Sequence, residues 1–147
     1  MLIRLIDEID TNNLRKWKND NKGAFFSQKT ISLRQQIRWF KAYQKRLNDY
    51  MFVVVADGDA VGCMGIRLLD DKWDIYNVII CKEFSGRGLM SQALKEMIDI
   101  AILHDDLPIT VKVLKNNKAV DWYRKNGFSI LREREDSYCM LYRGDDL

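Results

Sequence analysis

The stretch "YMFVVVADGDAVGCMGIRLLDDKWDIYNVIIC", residues 50–81, most narrows the folds open to this chain. β-branched and aromatic residues fill three runs, and Asp57-Gly58 and Asp70-Asp71 interrupt them as tight turns. This pattern predicts three antiparallel strands in a meander. A sheet of that kind buries its apolar side against helices, and the flanking segments supply them. "TNNLRKWKND" reads as a helix with Asp10 or Thr11 as N-cap and Leu14 and Trp17 on one face. "NDNKGAFFSQ" reads as a loop. Ser32, with Gln35 three residues on, is a capping box opening "SLRQQIRWFKAYQKRL", where Leu33, Ile37, Phe40 and Tyr43 or Gln44 recur at helical spacing.

Beyond the meander, Leu89, Ala93, Leu94, Met97 and Ala101 predict an amphipathic helix ending near His104. "LPITVKVL" is a further strand, and "KAVDWYRKN" a short helix closed by Gly127 at C′. "FSILRERED" and "SYCMLYR" form a last antiparallel pair. With "LIRLI" as the first strand, the order is β-α-α-β-β-β-α-β-α-β-β. That is an α+β layout, with helices on the faces of a mainly antiparallel sheet.

Composition excludes several classes of function. The 147 residues suit one domain, 1–147, and no repeat, low-complexity tract or linker divides them. The longest apolar runs fall far short of the roughly 18 residues that span a bilayer. The opening "MLIRLIDEID" carries acids where a secretory signal needs an apolar core, so a cytoplasmic location is expected. A formal charge of +3, with acids and bases interspersed, argues against a nucleic-acid binder and leaves room for a local basic pocket. Cys63, Cys81 and Cys139 lie far apart with no C-x-x-C pair, which predicts reduced thiols in or near the core. His104 is the only histidine, so neither a zinc site nor a histidine-based triad is expected.

"CKEFSGRGLMSQAL", residues 81–94, sets two glycines where a strand ends and a helix begins. Unpaired N–H groups and the dipole at a helix N-terminus attract an anion. Gly86 and Gly88 admit a positive φ and a close approach, and Arg87 adds charge, so a pair of phosphates is a natural guest. The pattern is neither G-x-x-x-x-G-K-[ST] nor G-x-G-x-x-G, because Ser91 stands at the last position. Taken alone, the loop fits a plain strand–helix turn equally well.

A second segment, "NNKAVDWYRKNGF", resolves this ambiguity. Together the two resemble the GNAT superfamily of acyl-CoA-dependent N-acyltransferases. The family's loop, [QR]-x-x-G-x-[GA], is matched from Ser85 through Gly86, Arg87, Gly88 and Leu89 to Met90, with Ser85 and Met90 departing from the usual residues. Its later motif, N-x-x-A-x-x-x-Y-x-x-x-G-F, is met by Asn116, Ala119, Tyr123, Gly127 and Phe128. The order of elements agrees over nearly the whole chain.

The resemblance implies the GNAT fold, a sheet splayed at its centre, and acetyl-CoA as co-substrate with no metal. The diphosphate would lie on the N–H groups of Arg87, Gly88, Leu89 and Met90, in the loop that Ser85 and Gly86 open. The pantetheine arm would run along Val78, Ile79 and Ile80, which read otherwise as plain core strand. The backbone N–H of Ile80 or Ile79 would stabilise the oxyanion. Tyr123, by itself a packing residue, would act as general acid toward the thiolate, and Asn116, by itself a helix cap, would also contact CoA. Asp74 is the candidate base, with a strand-end acid facing water as the alternative. Glu83 is nearer the loop and reads as solvated. The glutamate that protein N-terminal alanine acetyltransferases carry before the Asn is here Val111. Lys82, Lys118 and Arg124 would meet the 3′-phosphate or belong to a solvated face.

The acceptor side is expected around the first two helices, where Trp17, Phe25, Phe26, Trp39, Phe40 and Tyr43 concentrate aromatic weight. Phe40 reads as core; Trp39, its neighbour, cannot share so narrow a stripe and is free to line a cleft. Trp17, Phe26 and Trp39 are the substrate-binding candidates. Trp17 and Asn19 with Trp39 and Phe40 also resemble the W-x-N and W-F patterns of enzymes acetylating nucleotide-linked amino sugars. The implied acceptor is a small-molecule primary amine such as an amino sugar. A protein N-terminus, a polyamine or a non-catalytic acyl-CoA-binding role are the alternatives. No nucleic-acid or membrane partner is expected, and a homodimer is compatible with a chain of this kind.

Overall fold

A computed structural model describes residues 2–21 and 29–144. The observed elements follow the predicted order: β1 Leu2–Leu5, α1 Thr11–Asp20, α2 Leu33–Gln44, β2 Asp49–Ala56, β3 Asp59–Leu69, β4 Lys72–Ile80, α3 Leu89–His104, β5 Ile109–Leu114, α4 Ala119–Lys125, β6 Phe128–Glu133 and β7 Ser137–Tyr142. Among the described residues the strands form one seven-stranded sheet, β1-β2-β3-β4-β5-β7-β6. All neighbours are antiparallel except β4 and β5.

Each face of the sheet carries its own core. In β2, Phe52 and Val54 join Trp73, Leu94 and Met97 beneath α3, while Met51 and Val53 join Leu14, Trp17 and Phe40 beneath α1 and α2. That is the period-2 alternation of a strand buried on both faces. α2 begins with the predicted capping box: Gln35 N–H donates to Ser32 Oγ at 3.2 Å, and Ser32 N–H to Gln35 Oε1 at 2.9 Å. Its buried stripe runs through Gln36 and Phe40, and Leu33 faces outward. α1 starts differently from expectation. A 3-10 turn, Glu8–Asp10, precedes it, and Asp7 caps that turn with Asp10 answering from its third position. Asp10 does occupy the N-cap position of α1, but its side chain makes no capping bond to that helix. Asp10 is instead held by Arg4 at 2.8 Å.

Two features of β4 shape the functional region. The first is its parting from β5. The parallel pairing covers only Trp73↔Ile109, Asp74↔Thr110 and Ile75↔Val111. Thr110 Oγ1 donating to the Trp73 carbonyl (3.0 Å) and Trp73 Nε1 donating to the Asp105 carbonyl (2.9 Å) fasten that end. Further along, β4 stays with β3 as far as Ile80 and β5 stays with β7 as far as Leu114, so a wedge opens between them.

The second feature is a bulge. Cys63 faces Ile79 and Gly65 faces Tyr76, so Asn77 and Val78 together oppose Met64. Asn77 adopts the left-handed φ of 52° that this requires, and its carbonyl accepts the Cys63 thiol at 3.3 Å. The extra residue reverses the alternation. Ile75 packs on the α3 side and Tyr76 on the α1/α2 side, whereas beyond the bulge Ile79 is on the α1/α2 side and Val78 and Ile80 on the other.

Candidate active site

The glycine loop leaves β4 through a 3-10 turn, Lys82–Phe84, which Ser85 closes by donating its hydroxyl to the Lys82 carbonyl at 2.8 Å. Gly86 and Gly88 have φ of 78° and 74°, and a Cβ on either would meet nothing within 4 Å. The backbone there is thus left-handed and faces open space. Gly88 is the N-cap of α3 and offers no side chain to its first N–H groups. Beside the cap, the Arg87 guanidinium lies 4.9 Å from the Phe84 ring centroid. Met90, 7% exposed, belongs to the core beneath α3, so its bulk forms the floor of the site and leaves the cradle open. The loop therefore fits a diphosphate.

A cavity of about 560 Å³ runs from this loop along Val78 and Ile80 to Lys118 and Trp122. Along the wedge, the edge of β4 presents unpaired backbone groups. Cys81 N–H donates to the Val61 carbonyl at 2.8 Å, and strand directions alternate. The N–H and C=O of Ile80 consequently face the wedge, and those of Ile79 face β3. An extended, amide-bearing molecule could complete that edge as an added strand.

A second cavity of about 430 Å³ lies on the α1/α2 side and is lined by Trp39, Asp74, Tyr76, Asn117 and Tyr123 among others. It shares Val78, Ala119 and Trp122 with the first, so the two form one cleft passing through the wedge. The bulge makes this arrangement: Asp74 and Tyr76 project into one half, Val78 and Ile80 into the other. Tyr123 lines the α1/α2-side half, next in sequence to Trp122, which lines both. It is 4% exposed, edge-on to Trp122 and Phe128 with centroids 4.9 and 5.3 Å away. Burial, together with the nearby charge of Asp74, raises its pKa, so the phenol keeps its proton at neutral pH.

Asp74 is buried, not the solvated strand-end acid considered as its alternative. Arg67, directly opposite on β3, donates Nε to its Oδ2 at 3.0 Å. Beside this pair, Tyr76 donates its hydroxyl to Asp49 Oδ1, and Arg46 donates to Asp49 Oδ2 at 3.3 Å. Lys18 reaches the same half of the cleft from α1, half-buried, and desolvation lowers its pKa.

Other candidates fall elsewhere. Trp17 is a correction: it packs in the core with Leu14 and Phe40 and lines neither half of the cleft. Asn19 clamps the chain, its Nδ2 donating to the Ile31 carbonyl (2.9 Å) and its Oδ1 accepting from Ile31 N–H (2.8 Å). Trp39 does line the cleft, stacked on Tyr43 at 5.1 Å, while Phe40 is core. Phe25 and Phe26 lie outside the described residues. Asn116 is exposed; its neighbour Asn117 faces the cleft and accepts the Ala119 N–H at 2.9 Å, the capping contact expected of Asn116. Glu83 is exposed and accepts the Cys81 thiol at 3.0 Å. Of the three basic candidates, Lys118 lines the half beside the glycine loop, Arg124 pairs with Asp121 at 3.7 Å, and Lys82 is exposed.

Sequence reasoning passed over Arg67, Arg46, Lys18 and Trp122. For Arg67 a signal existed, since counting back from the Asp70-Asp71 turn sets it opposite Asp74. Trp122 was adjacent to a named residue, and its Nε1 donates to Ser91 Oγ at 3.0 Å, tying α4 to the start of α3.

A glycine cradle at the start of α3, a splayed β4 edge and a buried tyrosine lining the cleft agree with the family match over residues 11–128, to the Acetyltransferase (GNAT) family. The chain belongs to this family. It is an acetyl-CoA-dependent acyltransferase. The spermidine N(1)-acetyltransferase of Escherichia coli K12 is 26% identical over 137 residues, covering 87% of this chain and 68% of that protein. Among solved structures, YncA of Salmonella typhimurium with acetyl-CoA superposes with a TM-score of 0.80 at 19% identity, covering 100% of this chain and 95% of that one. The spermidine N-acetyltransferase of Vibrio cholerae with CoA and spermine gives 0.81 at 18%, covering 95% and 93%. These two structural likenesses speak for the GNAT fold. Among the described residues, no group of three or more His, Cys, Asp or Glu side chains could hold a metal, and no helix is long and apolar enough to cross a membrane.

Proposed function

We propose that this acetyltransferase acts on the primary amine of a small molecule, with Tyr123 as general acid and Asp74 as the local base. The observation that carries the reading is that Tyr123 and Asp74 line the same half-cleft, which joins the glycine-loop half through Val78, Ala119 and Trp122. The diphosphate of acetyl-CoA would rest on the backbone of Gly86 and Gly88 and the pantetheine arm on Val78 and Ile80. The thioester carbonyl would then receive the wedge-facing N–H of Ile80. The amine, having lost a proton to Asp74 or to water it holds, attacks the carbonyl carbon. The C–S bond breaks, the thiolate takes the Tyr123 proton, and the amine's second proton leaves to solvent, which restores the tyrosine. The products are an N-acetylamine and CoA with a free thiol. Neither Trp17 nor Asn19 reaches the cleft, so the W-x-N pattern lends no support to a nucleotide-linked acceptor. The relatives named for spermidine put that polyamine on the panel of acceptors to test.

The test is release of CoA thiol from acetyl-CoA with a panel of amines, beside calorimetry of CoA binding. Amine-dependent release is expected. Gly88→Glu should weaken CoA binding at least tenfold, because it sets a carboxylate and a strained left-handed side chain where the diphosphate lies. Unaltered affinity would remove the loop from the site.

A further inference from the structure

The acceptor half of the cleft is basic, which a polycation would find unfavourable. Among the described residues four cationic side chains line it, Lys18, Arg46, Arg67 and Lys112, against one lining carboxylate, Asp74. Asp49, the other acid at hand, already accepts both the Tyr76 hydroxyl and Arg46. Arg67 spends only Nε on Asp74 and lies 4.5 Å from the Tyr76 ring centroid, which holds its plane. No described residue accepts from its two terminal NH₂ groups. Lys112, exposed on β5, has no ion pair or hydrogen bond with a described residue. Asp74 in turn receives nothing on Oδ1 from the described residues. Toward the described residues the cleft therefore offers one open carboxylate oxygen, on Asp74, and open cationic donors on Arg67, Arg46 and Lys112.

We propose that the acceptor is an acidic amine, a small molecule bearing a phosphate or carboxylate close to its amino group. This rests on the acetyl-transfer reading above and narrows its substrate class. Asp74 Oδ1 takes the ammonium and places it by Tyr123, while the free edges of Arg67 and Arg46 and the Lys112 ammonium take the anion. A guanidinium fork suits either anion, since both present paired oxygens. Asp74 then has two roles: it orients Arg67 through Oδ2 and receives the amine through Oδ1. A polyamine fits poorly, because its further ammonium groups would meet Arg67, Arg46 and Lys112 with only one acid to answer them.

The test compares O-phosphoethanolamine, β-alanine, propylamine and spermidine by thiol release, with the full chain, at one pH and ionic strength. One or both acidic amines should exceed propylamine and spermidine in kcat/KM by about tenfold or more, the worth of one charge-assisted contact. Their order tells phosphate from carboxylate. Lys112→Glu, at an exposed position that leaves the fold intact, should shrink that advantage through KM, and Arg67→Gln should shrink it further. Propylamine or spermidine matching the acidic amines would overturn the proposal and leave the acetyl-transfer reading standing, as would an advantage that Lys112→Glu does not change. Turnover of none of the four would also overturn it. Failure to bind CoA at all would overturn the broader reading too.

Discussion

Tyr123 illustrates how a residue's chemistry is set by what surrounds it. Its ring is an ordinary core member, wedged edge-on between Trp122 and Phe128, and the residue also lines the cleft. Burial and the charge of Asp74 both favour the protonated phenol, the state a general acid must hold before the thiolate forms. Replacing Tyr123 with Phe keeps the ring and its packing while removing the proton. Turnover should fall by about 10²- to 10⁴-fold, with the melting temperature and the calorimetric CoA affinity close to wild type. Full activity in the variant would assign the proton to water or another donor. Met90 carries the complementary lesson. It departs from the family pattern, yet its side chain goes downward into the core, so the departure leaves the cradle open.

At the scale of the element, β4 does most of the organising. One extra residue at Asn77 and Val78 turns Asp74 and Tyr76 to the α1/α2 side and Val78 and Ile80 to the α3 side, so a single strand serves both half-clefts. β3 accommodates the bulged strand by closing in at Gly62, where a Cβ would sit 2.5 Å from the Ile79 carbonyl and 3.2 Å from Ile80 Cα. Those are backbone atoms and cannot swing aside. Gly62→Ala should therefore force the strands apart, lowering unfolding free energy by about 1–3 kcal/mol in denaturant titrations. CoA should also bind more weakly, because the displaced segment carries the Ile80 edge. An unchanged midpoint would show that the strands are less closely apposed there. Asn19 works at the same scale: its paired bonds to Ile31 join the end of α1 to the approach to α2.

For the whole molecule, the two cores make stability depend on pH in a defined direction. Cys63 lies wholly buried in the core beneath α1 and α2, and burial pushes its thiol from an ordinary 9.0 up to about 12. The folded value is raised, so this contribution is fully present below pH 9 and is lost as pH rises through 12, because only the unfolded chain ionises in that window. Burial raises the phenols of Tyr43, Tyr76 and Tyr123 in the same direction. Unfolding free energy should thus decline between about pH 9 and 12. Cys63→Ala, less stable at neutral pH for its lost packing, should show a shallower decline by denaturant titration across that range. Equal slopes would mean that the thiol ionises alike in both states. The net charge of +3 hides a local imbalance, because among the described residues the α1/α2-side half of the cleft gathers four cations around one lining acid.

What the sequence by itself determined is local: the order of elements, the Ser32 capping box, the αL residue Gly127 after α4, and the glycine loop with its companion tyrosine motif. Each is written in residues a few positions apart, and propensity, caps and turns act over that range. Tertiary structure alone decided which way the site residues point. The bulge is a difference in length between two paired strands, so nothing within "WDIYNVII" announces it. Without the bulge, simple alternation puts Ile75 and Ile79 on one face. Trp17 and Trp39 are equally aromatic in sequence, yet one fills the core and the other the cleft, because helix rotation is set by what α1 and α2 pack against. Asp74 was legible as an acid on a strand. That it is buried, held by Arg67 on one oxygen and open on the other, depends on cross-strand register and on the separation of β4 from β5, which arise only when distant segments meet.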